Sequence, residues 1–520
     1  MIRQILESGL PILVDYTCFP WRHGRLIRPE YRRNFPPEIF NEFHTGNGNH
    51  WVPYNIFHRE ARDLYRHYWQ AGAKLMKQYK ANTFIYELFN EPAYNDPSAY
   101  NRKLFSGYLE RKYRTPEKMN RRWRTSYRSF EEASMVPNFS RVPPLSVDWG
   151  KFLEEGFTEL AKLGCRSIRE IDPGAKFSFQ ILGFNNYRNV SASNVNIWEI
   201  SKFMDVISTS TTGGLYIESA QSAPPPVSLE SPSNPTSISE GILERHFYRN
   251  CARGKAIINP EAYSSNNPDV LRGKIWIDML RGSSMISLFD WSKRGWEYEF
   301  DLKKAQENAE KFTYSMLNPF AVPTQILAEI RKIRREISQY GEFFIPRELR
   351  PKAEIALLIS YPTERYTAAS GKIFKNELLH YAAALEFSHY SIDVLMEEQL
   401  ADGVPAPYRA VIAVGVENTL PETNSALKRF AGNGGVVIGA RGLLDSDEYG
   451  NQVRNPLFSG LKLLPLKQPQ IAELKLRMPL RKGLEGNIQA RLDFEIHPDE
   501  SWRVLGSINS QPQILRKKNV

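Results

Sequence analysis

The chain has 520 residues, room for three domains at roughly 100–200 residues each, with 42% hydrophobic, 24% charged and 12% aromatic residues. This ordinary globular usage excludes collagen-like, coiled-coil and wholly disordered chains, and no apolar run approaches the ~18 residues that a membrane span needs. A formal charge of +10 favours acidic partners without naming one, and the three dispersed cysteines, Cys18, Cys165 and Cys251, encode neither a disulfide framework nor a zinc cluster.

In chain order, PILVDYT (11–17) reads as a strand. The next segment, 59–79, reads as a long helix, with Ala61, Leu64, Tyr65, Tyr68, Ala71, Leu75 and Met76 at helical spacing. Strands are predicted at 83–89, 176–182, 204–210, 255–260 and 284–291, with helices over 98–113 and 150–170. Six strands alternating with helices predict a parallel α/β layer architecture. The Pro/Ser-rich stretch 217–240 reads as a long surface loop. A helical run at 323–341 reads as a connector. From Pro351 a second α/β unit begins, with strands at 353–361, 391–396, 408–415 and 434–440 and helices at 373–390 and 421–431, the rhythm of a flavodoxin-like doubly wound sheet. The tail from about 467 reads as β. The predicted domains are therefore a barrel-type domain over 1–320, a connector over 321–350, an α/β domain over 351–465 and a small β-rich region over 466–520.

The sharpest chemical signal is FNEP (89–92), where a strand of buried type ends in Asn90-Glu91-Pro92. In a (β/α) barrel the C-terminal strand ends face the active site, so a carboxylate held there by a proline turn is placed to act on substrate. A second lies in the same topological position in INPEAY (258–263), giving Glu261. Two carboxyl groups on strand ends of one barrel can flank a glycosidic bond, one protonated and one ionised. Glu91 is the candidate proton donor and Glu261 the candidate nucleophile. Glu87, placed by strand parity on the face of Glu91, is a candidate to line the pocket, and the favoured reading is a buried Glu paired with an arginine. His44 and His50, without a carboxylate framework, read as loop hydrogen-bonders, and no metal or cofactor is expected. The Arg-dense stretches 22–33 and 120–128 carry no helix-turn-helix, RRM or zinc-finger pattern, so nucleic acid is not expected as a partner.

FNEP and the run from 105 to 137 that follows it, with Phe105, Leu109, Tyr113, Thr115, Met119, Asn120, Trp123 and Pro137 in a patterned series, resemble the β-galactosidases of glycoside hydrolase family 42. DWGKF (148–152) and REIDPGAKFSF (169–179) continue the likeness, which extends over about 8–460. The resemblance implies a (β/α)8 TIM barrel followed by a glutamine-amidotransferase-like domain that serves trimer formation. It also implies a carbohydrate substrate and retaining hydrolysis by Glu91 and Glu261. The amidotransferase-like span contains no cysteine, which removes amidotransferase chemistry. By the same resemblance Asn90 hydrogen-bonds the sugar 2-hydroxyl, Trp291 supplies an aromatic platform under the sugar, and Tyr16, Thr17 and Trp21 open the substrate loop. Trp296, Glu297 and Glu299 are further loop candidates.

The pattern departs from the family in two respects. A barrel of ~250 residues takes ~31 per βα unit. The strand at 11–17 matches the family's third, so strands one and two are missing; a truncated sequence is the favoured expectation, beside a missing part supplied by another chain or a degenerate relative that binds rather than cleaves. A signal peptide would be lost with those strands, which leaves a cytoplasmic location as a default. Strand six also lacks the clan's Tyr or His that supports the nucleophile, with Tyr216 as its stand-in. The alternative function is a carbohydrate-binding or scaffold relative without turnover.

Overall fold

The computed structural model describes residues 12–16, 35–41, 52–78, 84–136, 142–181, 193–209, 238–263, 268–289, 316, 323–343, 352–370, 375–440, 444–453, 455, 457–476, 489–508 and 511–517. These fall into two compact units, one formed by residues 1–351 and 364–390, the other by 352–363 and 391–520.

The first unit holds a curled, parallel six-stranded sheet with helices. Its strands are β1 (Ile12–Asp15), β2 (Phe84–Asn90), β3 (Lys176–Ile181), β4 (Val206–Thr209), β5 (Ala256–Tyr263) and β6 (Ser283–Phe289), in spatial order β1 to β6. Each strand pairs with its neighbours in sequence, as right-handed βα units require. Its helices include α1 (Arg59–Lys77), α2 (Ala99–Tyr113), α3 (Pro116–Trp123), α4 (Phe130–Ser134), α5 (Pro143–Arg169), α6 (Ile197–Ser201), α7 (Ile238–Ala252), α8 (Pro268–Leu280) and α9 (Gln325–Tyr340). The helices α7 and α8 were not legible in the sequence reading, because their apolar residues make no clean one-sided stripe.

Helix α1 buries Ala61, Tyr65, Trp69, Ala73 and Met76, one face at steps of three and four, against the sheet. There Trp69 meets Phe89 edge-on at 5.8 Å, and Phe89 in turn packs on Phe157 of α5 at 5.1 Å and Phe179 of β3 at 5.9 Å. Truncating such a ring costs about 3–5 kcal/mol, so this aromatic layer is a principal brace between sheet and helices. Gly164 of α5 lets that helix approach: a Cβ there would lie 3.2 Å from both Trp69 and Leu88. The insert α2 to α4 is capped residue by residue. Ser98, Thr115 and Ser129 each accept a backbone N–H three residues on, which satisfies one orphan donor per helix.

The chain then runs through β7 (Ile355–Ile359), α10 (Tyr361–Ser370) and α11 (Lys375–Phe387) to β8 (Ile392–Met396), β9 (Ala410–Val414), β10 (Asn418–Thr419), α12 (Pro421–Gly432), β11 (Val436–Ala440) and β12 (Ser446–Asp447). The second unit contains a parallel sheet in the order β11-β9-β7-β8, whose Leu358, Leu395, Val411 and Val437 pack with Leu427 of α12 and with Trp502. An antiparallel sheet closes the chain, with β13 (Leu461–Leu476), β14 (Gln489–Pro498), β15 (Arg503–Ile508) and β16 (Gln511–Arg516) in the order β14-β13-β15-β16. No helix among the described residues is long and apolar enough to cross a membrane.

Candidate active site

Strand alternation decides which residues reach the inside of the curled sheet. On β3, Phe177 and Phe179 are fully buried in aromatic contacts on the helix side, so Ser178 and Gln180 point the other way. On β2 the alternation is interrupted. Glu87 pairs with Ser178, yet Asn90 rather than residue 89 pairs with Gln180, so β2 carries one extra residue between them. Leu88 meets Gly164 and Phe89 meets Trp69, so two consecutive side chains face the helices. Such a bulge re-aims the residues that follow it. Glu91 then adopts φ 49°, a left-handed conformation that costs a non-glycine residue about a kcal/mol or more. The shared parity expected of Glu87 and Glu91 is therefore corrected: the bulge and the turn, not simple alternation, set the direction of Glu91.

Strand β5 carries the matching irregularity. Asn259 pairs with Ile286 and Ala262 with Leu288, so three steps on β5 oppose two on β6, and Glu261 lies within the extra turn of chain. The segment is held from outside the sheet. Asn259 Nδ2 donates to Asp278 Oδ2 at 2.8 Å, Asp278 pairs with Arg245, and Arg245 donates to Ser283 Oγ at 3.0 Å. All four of these side chains are buried.

Gln180 links the backbone of Glu91 to the carboxylate of Glu261. Its backbone carbonyl accepts the Glu91 N–H at 3.0 Å, and its side-chain Nε2 donates to Glu261 Oε2 at 2.7 Å. Residues 91 and 261, which the sequence places far apart, thus each hydrogen-bond to the same glutamine, one through its backbone and the other through its carboxylate. Glu91 Oε1 and Asn90 Oδ1 are both shielded from solvent. Gln180 was missed in the sequence reading. The signal that could have found it is the polar alternation of Ser178 and Gln180 within an otherwise aromatic strand.

The structure removes the arginine partner expected for Glu87. This residue is 1% exposed, Ser178 Oγ donates to its Oε2 at 3.2 Å, and among the described residues it forms no ion pair. Burial, then the nearby Asp15 carboxylate, push its pKa well above the usual carboxylate range; the Ser208 and Ser178 hydroxyls pull the other way, and Glu261 adds a further upward push.

Tyr16 is not brought to the pair. Its ring stacks on Tyr86 at 5.9 Å and meets Tyr68 of α1 edge-on at 5.8 Å, and a Cβ on Gly72 would lie 2.2 Å from its Cε1. The substrate-facing role expected of Tyr16 is corrected for a simple reason. Asp15 pairs with Glu87 on the inside, so its neighbour in the strand turns outward to the helix. Thr17, Trp21, Trp291, Trp296, Glu297, Glu299, His44, His50 and Tyr216 lie outside the described residues. Among the described residues no three His, Cys, Asp or Glu side chains converge as a metal cage requires.

A family profile described as beta-galactosidase, that of glycoside hydrolase family 42, matches residues 33–340, more than half of the chain. The chain belongs to glycoside hydrolase family 42. Beta-galactosidase BglY of Alicyclobacillus acidocaldarius subsp. acidocaldarius is 20% identical over 464 residues, covering 84% of this chain. This chain in turn spans 61% of the length of that curated relative. The cold-adapted beta-galactosidase of Rahnella sp. R3 superposes with a TM-score of 0.78 at 14% identity, covering 100% of this chain and 76% of its own. The exo-carrageenase of Bacteroides ovatus superposes with a TM-score of 0.64 at 16% identity, covering 100% and 75%. The fold of this family member is thus that of family 42 glycosidases.

Proposed function

We propose that this family 42 protein is a retaining glycoside hydrolase of β-galactosidase type acting on terminal β-linked sugars. Glu261 attacks the anomeric carbon to form a glycosyl-enzyme while Glu91 protonates the departing oxygen; Glu91 then activates water, which displaces Glu261 and keeps the anomeric configuration. The observation that carries this reading is the bridge through Gln180, which ties both carboxylate-bearing strand ends together. Asn90, beside Glu91, is assigned to the sugar 2-hydroxyl. Assembly of the chain into oligomers through its second unit is part of the same reading, supported by Val436 and Ile438, each 39% exposed on the edge strand β11. A cytoplasmic place of action rests on the dispersed cysteines, of which Cys165 and Cys251 are buried.

The test is hydrolysis of an aryl β-galactoside. Glu261→Ala is expected to lower kcat by more than about a thousandfold, and proton NMR of the unmutated reaction to show the β-anomer of galactose first. Sugar binding without turnover in the unmutated chain would replace this reading with that of a binding relative.

A second reading concerns the sugar's charge. Residues 99–128, which follow the turn after β2 that carries Glu91, hold ten Lys and Arg against two Glu. Arg111, Arg114, Lys118, Arg121, Arg124 and Arg128 are exposed. The insert packs against the start of α5, where Phe105 meets Trp149 edge-on at 5.1 Å, and Trp149 donates to Asn95 at 3.1 Å, four residues beyond Glu91. A cationic rim there favours a sulfated or uronic galactoside, in keeping with the carrageenase among the structural relatives. The same assay run on sulfated and neutral galactans decides it: preference for the sulfated one, falling with added salt, is expected.

A further inference from the structure

Inside the curled sheet, directly below the proposed catalytic pair, lies a carboxyl group that the double displacement does not use. Glu87 is 1% exposed, and the inward-facing neighbours on every strand around it are acidic or hydroxylic: Asp15 on β1, Ser178 on β3, Ser208 on β4 and Glu261 on β5. No lysine, arginine or histidine among the described residues pairs with it. Isolated charge in such a place is costly, and a carboxyl group so enclosed takes up a proton rather than remain ionised. Two carboxylates sharing one cavity obey the same rule, the second ionising only with difficulty beside the first.

We propose that Glu87 is a positioning residue for Glu261: a neutral carboxylic acid that fills the floor of the site, engages the serine hydroxyls, and leaves Glu261 as the ionised member of the pair. The proposal rests on the hydrolase reading only for its kinetic part. Its physical basis is division of labour between two nearby acids. Gln180 donates to Glu261 and so favours the carboxylate there. Glu87 is buried, with Asp15 and Glu261 as like charges nearby, which favours the acid form, and the Ser178 hydroxyl is its hydrogen-bond partner. An ionised Glu87 would raise the proton affinity of Glu261 and narrow the range in which Glu261 can attack; a purely apolar residue would leave the serines to turn elsewhere.

The proton on Glu87 can be read without turnover. In the full chain, with ¹³C label in the glutamate carboxyls, infrared titration is expected to show a neutral acid signal at pH 7 that disappears in Glu87→Gln. In Glu261→Gln, where the like charge is gone, that signal is expected to titrate at lower pH than in the unmutated chain. Absence of a Glu87-dependent signal at pH 7, or a signal indifferent to Glu261→Gln, overturns the proposal. Kinetics add a second arm. Glu87→Leu is expected to lower kcat about tenfold with little change in KM, and Glu87→Gln to recover most of that loss. With Glu87→Gln the acidic limb of kcat/KM is expected to stay within about 0.3 pH unit, whereas a fall of about one unit would mean that Glu87 was charged and would overturn the proposal. If the unmutated chain shows no hydrolysis, the hydrolase reading fails while the titration still decides for Glu87.

Discussion

A hydrogen bond of 2.7 Å from one amide, Gln180 Nε2, holds Glu261 in place, and the same residue's carbonyl pins the backbone of Glu91. Only the first contact depends on the side chain, so the two can be separated by mutation. Gln180→Leu keeps the strand and its carbonyl but removes the donor. A carboxylate that loses a donor is harder to ionise, so the acidic limb of kcat/KM is expected to move to higher pH, with kcat about tenfold lower at neutral pH and Glu91's backbone contact intact. A pH profile of aryl galactoside hydrolysis checks the direction. An unmoved limb would mean that Gln180 merely packs.

Among elements, the bulges on β2 and β5 do what neither strand could do if regular. In each, one additional residue beside the candidate carboxylate turns the chain without breaking the sheet. Helices outside the sheet are tied by charge. Glu386 of α11 accepts from Arg281, just beyond α8, at 2.6 Å and lies 3.1 Å from His246 of α7. Burial would raise the Glu386 pKa, but the hydrogen bonds from His246 and Arg281 and their charges win and hold it at about 2. The folded-state pKa is thus below the unfolded one. The contribution to stability is complete above about pH 4.5 and is lost as pH falls toward 2. Glu386→Gln is therefore expected to lower the melting temperature at pH 7 and to flatten its decline through this window, as calorimetry across pH 2 to 7 would show. An unchanged acid decline would show that Glu386 does not anchor α11.

At the level of the whole molecule, the chain leaves the first unit at residue 351 and re-enters it for 364–390. The returning segment is held by Arg365, whose guanidinium binds the Glu154 carboxylate on α5 with both Nε, at 2.9 Å, and Nη2; Asn196 also donates to that carboxylate at 3.2 Å. Both charged side chains are about 95% buried, at 5% and 6% exposure. Removing one partner leaves the other charge stranded, so Arg365→Ala is expected to cost about 3–5 kcal/mol, and Arg365→Lys much of that because an ammonium cannot make the fork. Urea unfolding followed by tryptophan fluorescence measures this. A loss below about 1 kcal/mol would show the pair to be open to water.

Helices α7 and α8 were not legible in the sequence, but the order of the six parallel strands and the membership of family 42 were. They depend on local periodicity and on short runs such as FNEP and INPEAY, where neighbouring residues carry the information. The tertiary structure alone decided that Gln180 bridges residues 91 and 261, that Tyr16 faces a helix, and that Glu87 lacks a cation. Each of these turns on one residue gained in a strand, or on which side of a sheet a side chain emerges. One inserted residue reverses every inside and outside assignment that follows it, and nothing in a residue's own chemistry records that reversal until the neighbouring strand is in place.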